Sequence, residues 1–401
     1  GAHTALGSLW LSDGNLPKAT RSFRRSIEIN PVNLEARGLL AACFFLDGDE
    51  AAFKAQEKAT LDLNKECAEF YHTIARAIES RFRYKDAARM SEKALAVDPD
   101  YWPAFHTLGI NLLRMGQEEK ARFYLEKSRE KDPFNIYVFN TRKLLKHMDK
   151  KHRVLKKGKF VLKLPKADYE ILKTYLVPLL EEAYEKLQKR YRVELDPPIY
   201  IEVFSDHNMF SARIVGLAGF PATGACFGNL VALTTPKALP QNWGVVAWHE
   251  FAHVITLHAT HHHVPRWLTE GLSVFEEGRD HPAWTRRFEV ELSTAYASGR
   301  LLNLAELDFG FSKPKYPMQV LMSYYQGCMV VRYISERWSF DKILEVLEGY
   351  KNSKTTRQIF REVFDLSLAE FDKGFFKYLD DWVQSNGLVP MVVEESQADE
   401  L

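Results

Sequence analysis

The sequence predicts a multidomain protein: an all-α repeat solenoid over residues 1–149, then an α+β domain over 150–390 with a small mixed sheet and a helical C-terminal part. Three observations predict it. A 34-residue period runs through the first third, short apolar or alternating runs bounded by turn residues follow, and helix-period patterns take over from Gln241. An acidic end, 391–401, "VVEESQADEL" within it, is expected to be frayed. At about 150 residues per domain, 401 residues allow two or three domains, each able to bury a core.

The period is fixed by proline. Pro31, Pro99 and Pro133 close the phrases "SIEINP", "ALAVDP" and "SREKDP", at separations of 68 and 34. Aligned on them, Leu6-Gly7, Ile74-Ala75 and Leu108-Gly109 share repeat positions, as do Trp10, Phe44, Ile78 and Leu112, and then Ala19, Ala87 and Ala121. Small residues let antiparallel helices approach, large apolar ones fill between them, and Pro ends the second helix. The second repeat, 34–67, keeps the period and Gly48 but has Phe53 where Ala is expected and Lys65 where Pro is expected. This pattern resembles the tetratricopeptide repeat, with about four copies. Residues 135–149 are expected to be a helix capping the last repeat's apolar face. Such stacks form a concave groove, which implies a protein or peptide partner; a spacer role is the alternative.

Composition excludes several classes. Lys plus Arg is 54 and Asp plus Glu is 53, so no global field draws the chain to nucleic acid or an anionic membrane. From Arg142 to Lys159 there are nine basic residues and one acid, Asp149, without interleaved aromatics; we read a solvated interdomain joint there, and no nucleic-acid site. Cys43, Cys67, Cys226 and Cys328 lie far apart and indicate neither a disulfide framework nor a cysteine metal site. No apolar run reaches the roughly 18 residues needed to span a bilayer. The chain starts "GAHTALG" without Met, which suggests truncation of a precursor and leaves compartment, including export, open.

In the second part, "HRVLKKGKFVLKLP" reads as two strands around a Lys-Lys-Gly turn, 167–190 as a helix, and "PPIYIEVF" as a buried strand. "GNLVALTT" is expected to be an edge strand able to pair with an extended peptide. The last helix is expected to begin at Ser367, where Glu370 completes a capping box.

Residues 245–272, "VVAWHEFAHVITLHATHHHVPRWLTEGL", hold six of the 13 histidines. On a helix His249 and His253 project from one face about one turn apart, so two imidazoles can share a zinc ion. Glu250, about 100° around the helix, sits beside that ion and can deprotonate water. This is the H-E-x-x-H pattern of metalloprotease helices. A catalytic zinc takes three protein ligands, so one more is needed. A metzincin would break the helix at Gly and supply a third His; here Thr256 and Ala259 stand at those places. His258 and His261–His263 are read as bystanders. "PRWLTEGLSVFEE" reads as a second helix after Pro265, with Glu270 far enough along, 17 residues after His253, to return to the first.

Here the sequence resembles the gluzincins, whose third ligand is a Glu in a W-L-x-E-G phrase. More narrowly, it is similar to the peptidase MA-like family found behind tetratricopeptide repeats, over about residues 152–384. "VFSDHNMF", "GACFGNLVALTTP", "HEFAH", "PRWLTEGLSVFEE" and "SYYQGCMVVRYISERW" arrive in the family's order. The resemblance implies a thermolysin-like domain with one zinc per chain, held by His249, His253 and Glu270, with Glu250 as general base. Two neutral imidazoles and one carboxylate would leave the site near +1. Glu277, seven residues past Glu270, matches a recurrent carboxylate that orients a ligand histidine; a surface pair with Glu276 is the alternative, and Asp280 is a weaker candidate. For the oxyanion donor the family pattern aligns on Tyr324, with Tyr325 as the alternative and core packing open for either. Zinc aminopeptidases carry an acid in the phrase upstream of the zinc helix, and "GACFGN" has none, which favours an endopeptidase. The expected function is therefore zinc-dependent peptide hydrolysis, with the repeats recruiting substrate. A catalytically silent repeat scaffold is the competing reading.

Overall fold

A computed structural model of the chain describes residues 1–285 and 288–388. The acidic end at 391–401 lies outside the described residues, as do positions 389–390 of the expected second domain.

Four helical hairpins open the chain: α1 (Ala2–Ser12) with α2 (Leu16–Ile29), α3 (Leu34–Asp47) with α4 (Glu50–Leu61), α5 (Ala68–Glu79) with α6 (Tyr84–Val97), and α7 (Pro103–Arg114) with α8 (Glu118–Lys131). The expected small positions are buried: Ala19, Ala87 and Ala121 are wholly enclosed. Phe53, in the second repeat's alanine seat, is buried too and meets Phe45 edge-on at 6.0 Å. The period is also written in the backbone. Gly14, Gly48, Phe82 and Gly116, each 34 residues after the last, end the first helix of each pair with φ of 75°, 76°, 59° and 74°. That left-handed turn suits glycine and strains a residue with a Cβ. Phe82 is half exposed and gains little burial in return. Phe82→Gly is therefore expected to raise stability by about 1 kcal/mol, measured by denaturant unfolding; a lower midpoint would mean the ring's contacts outweigh its strain.

Helix α9 (Ile136–Lys151) caps the repeats as expected on one side only. Val138 and Leu145 join Leu108, Leu112 and Leu125. Leu144 and Met148, on another face, pack against Phe204, Phe210 and Ala232 of the sheet region. The stretch 142–159 is continuous secondary structure, α9 running directly into β1 (His152–Lys157); Arg142 pairs with Glu126 at 2.6 Å, while Lys143, Lys146, Lys150, Lys151, Lys156, Lys157 and Lys159 are exposed to solvent.

The sheet contains β1, β2 (Phe160–Pro165), β3 (Ile199–Phe204), β4 (Gly224–Cys226) and β5 (Leu230–Thr234), in the order β1-β2-β3-β5-β4. β1 and β2 form the expected hairpin; β3 runs parallel to both β2 and β5, and β4 runs antiparallel to β5. One edge, β1, exposes Lys156 and Lys157, which discourages further pairing. Helix α10 (Tyr169–Tyr191) links β2 to β3, and α11 (His207–Val215) follows β3. The expectation that "GNLVALTT" forms an edge is also corrected. β5 lies between β3 and β4 with all five residues buried, as an unbroken apolar run does when both faces are covered; the edge is the three-residue β4.

The remaining chain is helical: α12 (Trp243–Ala259), α13 (Arg266–Asp280), α14 (Glu289–Ala297), α15 (Phe309–Ser312), α16 (Gln319–Arg337), α17 (Phe340–Lys351), α18 (Thr356–Phe364) and α19 (Leu368–Ser385). α19 begins at the predicted capping box, Ser367 accepting from the Glu370 N–H at 3.3 Å and Glu370 accepting from the Ser367 N–H at 2.8 Å. By density of contacts, residues Gly1–Tyr169 with Pro197–Gln241 form one compact unit, and Glu170–Asp196 with the chain from Asn242 form another. The boundary read from sequence at 149/150 falls inside the first unit, because α9 is apolar on two faces. Among the described residues no helix is long and apolar enough to cross a membrane.

Candidate metal centre

α12 is capped by Asn242, whose side chain accepts from the Val245 N–H at 3.4 Å, and is buried continuously from Ala247 to Leu257. Nothing breaks it before Ala259, so His249 and His253 keep helical spacing. The chain turns through His261 and His262, both at positive φ, and α13 starts after Pro265. Pro265 offers no capping side chain; Asp308 accepts from the Trp267 N–H instead, at 2.7 Å. α13 then crosses α16 at two glycines. A Cβ on Gly271 would lie 2.5 Å from the Gly327 carbonyl carbon, and one on Gly327 would lie 2.7 Å from the Trp267 oxygen. Only glycine permits this approach, and it sets Glu270 on α13 beside Tyr324 on α16.

Three acceptor atoms converge. His249 Nε2 and His253 Nε2 are 3.2 Å apart, and Glu270 Oε2 is 3.3 Å from the first and 3.2 Å from the second. Among the described residues this is the group of His, Cys and carboxylate side chains able to hold a metal ion. The far side of each ring is held as well: His249 Nδ1 lies 2.7 Å from Glu277 Oε1, an acceptor that draws the ring proton to Nδ1, and His253 Nδ1 lies 2.7 Å from the Thr269 hydroxyl, which leaves both Nε2 atoms facing the centre. Zinc bonds of about 2.0–2.1 Å in a tetrahedron separate neighbouring ligand atoms by about 3.3–3.4 Å, so the triangle fits zinc. Two imidazole donors do not suit calcium or magnesium, which take oxygen ligands.

Burial lowers the His249 pKa, but Glu270 and Glu277 outweigh it and push it up to about 10. Burial opposes ionisation of Glu270, yet His253 and His249 hold its carboxyl well below the usual range. Both shifts arise from the same close packing of imidazoles against carboxylates. Glu250 is buried at 7% exposure but stands outside the triangle. Burial raises its pKa against the pull of His253 and His249.

A family model of the peptidase MA superfamily matches residues 180–381, just over half of the chain. The chain belongs to the peptidase MA superfamily. A tetratricopeptide-repeat model matches residues 80–145, and no curated protein matches the chain. This peptidase MA superfamily domain therefore follows N-terminal tetratricopeptide repeats.

The superfamily domain separates the two tyrosines. The Tyr324 hydroxyl donates to Glu270 Oε1 at 3.3 Å, and its ring centroid is 6.3 Å from that of His249. Tyr325, one position on and 5% exposed, turns into the core and meets Phe288 edge-on at 6.1 Å. Glu277 is fully enclosed against His249, so the surface-pair alternative does not hold. Glu276 is equally enclosed but is paired with Arg190 and accepts from the Tyr191 hydroxyl at 3.1 Å; Asp280 takes the same Arg190 at 2.9 and 3.0 Å. His258, whose Nδ1 is 2.8 Å from the Val254 carbonyl, and His261–His263 stay outside the metal-competent group.

Several neighbours were not read from sequence. Thr269 holds His253, and Thr256, where a metzincin has glycine, lies 2.6 Å from the Thr269 oxygen. Arg266 reaches Glu270 Oε1 at 3.4 Å from one turn earlier on the same helix, an i,i+4 pair that spacing could have revealed. Asp308 and Phe311 arrive from about 40 residues away with no local signal.

Proposed function

We propose that the chain is a zinc-dependent metallopeptidase, acting as an endopeptidase, with one zinc held by His249, His253 and Glu270. The observation that carries this reading is the triangle of two Nε2 atoms and one carboxylate oxygen with edges of 3.2–3.3 Å. A zinc ion there supplies Lewis acidity, which polarises a scissile carbonyl and makes water acidic enough to lose a proton near neutral pH. Glu250 takes that proton on its carboxylate and returns it to the leaving amine. The Tyr324 hydroxyl, which donates to Glu270 Oε1 in the unliganded site, turns to donate to the carbonyl oxygen as it gains charge. Glu277 keeps the His249 proton on Nδ1 and so orients the Nε2 lone pair. The missing acid in "GACFGN" leaves no carboxylate in that phrase to hold a substrate's amino terminus, which favours internal cleavage.

The repeats serve to recruit a protein substrate or partner and raise its effective concentration near the site. Supporting this, a cavity of about 410 Å³ lies between the repeats and α11, lined by His72, Arg76, Trp102, His106 and Tyr137 on one side and Arg213 on the other. The test is cleavage of denatured proteins and peptide libraries by purified protein, before and after removal of metal by a chelator and after zinc is restored. Internal cleavage that is lost and regained is expected. Equal inertness with and without zinc would favour the silent scaffold instead.

A further inference from the structure

Glu270 divides its two carboxylate oxygens between different neighbours. Oε2 faces the two imidazoles, at 3.3 and 3.2 Å. Oε1 is turned away, accepting from Arg266 Nε at 3.4 Å and from the Tyr324 hydroxyl at 3.3 Å. Arg266 and Tyr324 thus meet on the same oxygen of Glu270. The arginine is itself held in place: its guanidinium lies 5.0 Å from the Phe311 ring centroid, and that ring meets Tyr324 edge-on at 5.1 Å. Its side chain remains 45% exposed, against 10% for Glu270.

We infer that Arg266 is a positioning residue that occupies Glu270 Oε1 and so presents the carboxylate to the metal through Oε2 alone. The inference rests on the zinc reading above. A carboxylate free to rotate offers a cation one oxygen or both, and the second oxygen takes a coordination position that water or a substrate carbonyl needs. A cationic donor on Oε1 draws charge from that oxygen and stops the rotation; the neutral Tyr324 hydroxyl does this less strongly. Arginine suits the place because its guanidinium carbon lies over Phe311 while its Nε donates, which a lysine ammonium cannot do at once.

The experiment compares wild type, Arg266→Met, Arg266→Lys and Tyr324→Phe. Zinc affinity is measured by competition with a chromophoric chelator, and the visible absorption of the cobalt(II)-loaded proteins is recorded. For Arg266→Met the expected result is zinc affinity weakened roughly 10–100-fold, with a weaker cobalt band as the coordination number rises. Arg266→Lys recovers part of the affinity, and Tyr324→Phe shows a smaller change than Arg266→Met. A loss of Arg266 that merely destabilised the protein would lower the amount of bound cobalt without altering the band of what remains, and would overturn the inference. Wild-type zinc affinity and an unchanged cobalt band in Arg266→Met would overturn it too while leaving the zinc reading intact. A wild type that binds neither metal overturns both.

Discussion

Glu250→Gln is expected to lower kcat/KM for peptide cleavage by about 10²–10⁴-fold while one zinc per chain is retained. The substitution keeps the size of a side chain that is buried and outside the ligand triangle, so neither packing nor metal binding is disturbed. What it removes is the ability to accept a proton. The pH dependence follows from the same group. Burial raises the Glu250 pKa, with His253 and His249 opposing, and only the carboxylate form accepts a proton. Wild-type kcat/KM should therefore rise with pH as the Glu250 carboxyl ionises, and this limb should vanish in the variant. A variant within a few-fold of wild type would remove Glu250 from the chemistry.

Gly271→Ala is expected to damage stability and the metal site together. The new Cβ would meet the Gly327 carbonyl carbon at 2.5 Å, its oxygen at 2.6 Å and the Cys328 nitrogen at 3.0 Å, all backbone atoms that cannot rotate aside. α13 and α16 must move apart, which costs about 1–3 kcal/mol by the usual scale of overpacking. Glu270 is the residue just before Gly271, so it moves with α13 relative to the histidines on α12. Displacements near 1 Å at such centres cost about 10²-fold in rate. Thermal unfolding and zinc affinity should fall in parallel, and Gly327→Ala should reproduce both from the opposite helix. Unchanged zinc affinity in a destabilised Gly271→Ala would show that the crossing supports the fold without positioning Glu270.

What could be read from sequence were features with a short period. The H-E-x-x-H spacing places two imidazoles on one helix face, Pro265 marks the start of the helix carrying Glu270, and the 34-residue period returns as a left-handed turn at Gly14, Gly48, Phe82 and Gly116. Tyr324 and Tyr325 could not be separated, because adjacent helical residues differ by about 100° and only the packing of α16 on α13 decides which one faces Glu270. The unbroken "LVALT" run of β5 marks a strand covered on both faces, whereas its place between β3 and β4 depends on where the short β4 pairs. The repeat period ends near residue 149, but Leu144 and Leu145 join different cores, one the sheet's and one the repeats'. Asp308 and Phe311 belong to the site through tertiary contacts alone, which periodicity does not encode.

The central claim is that His249, His253 and Glu270 hold one metal ion, and the metal content of purified protein tests it most directly. Wild type should contain one zinc per chain, and both His253→Ala and Glu270→Ala should lose it under the same purification, because either change breaks the triangle with edges of 3.2–3.3 Å. Zinc retained at one per chain in Glu270→Ala would contradict the account, since another group would then complete the site.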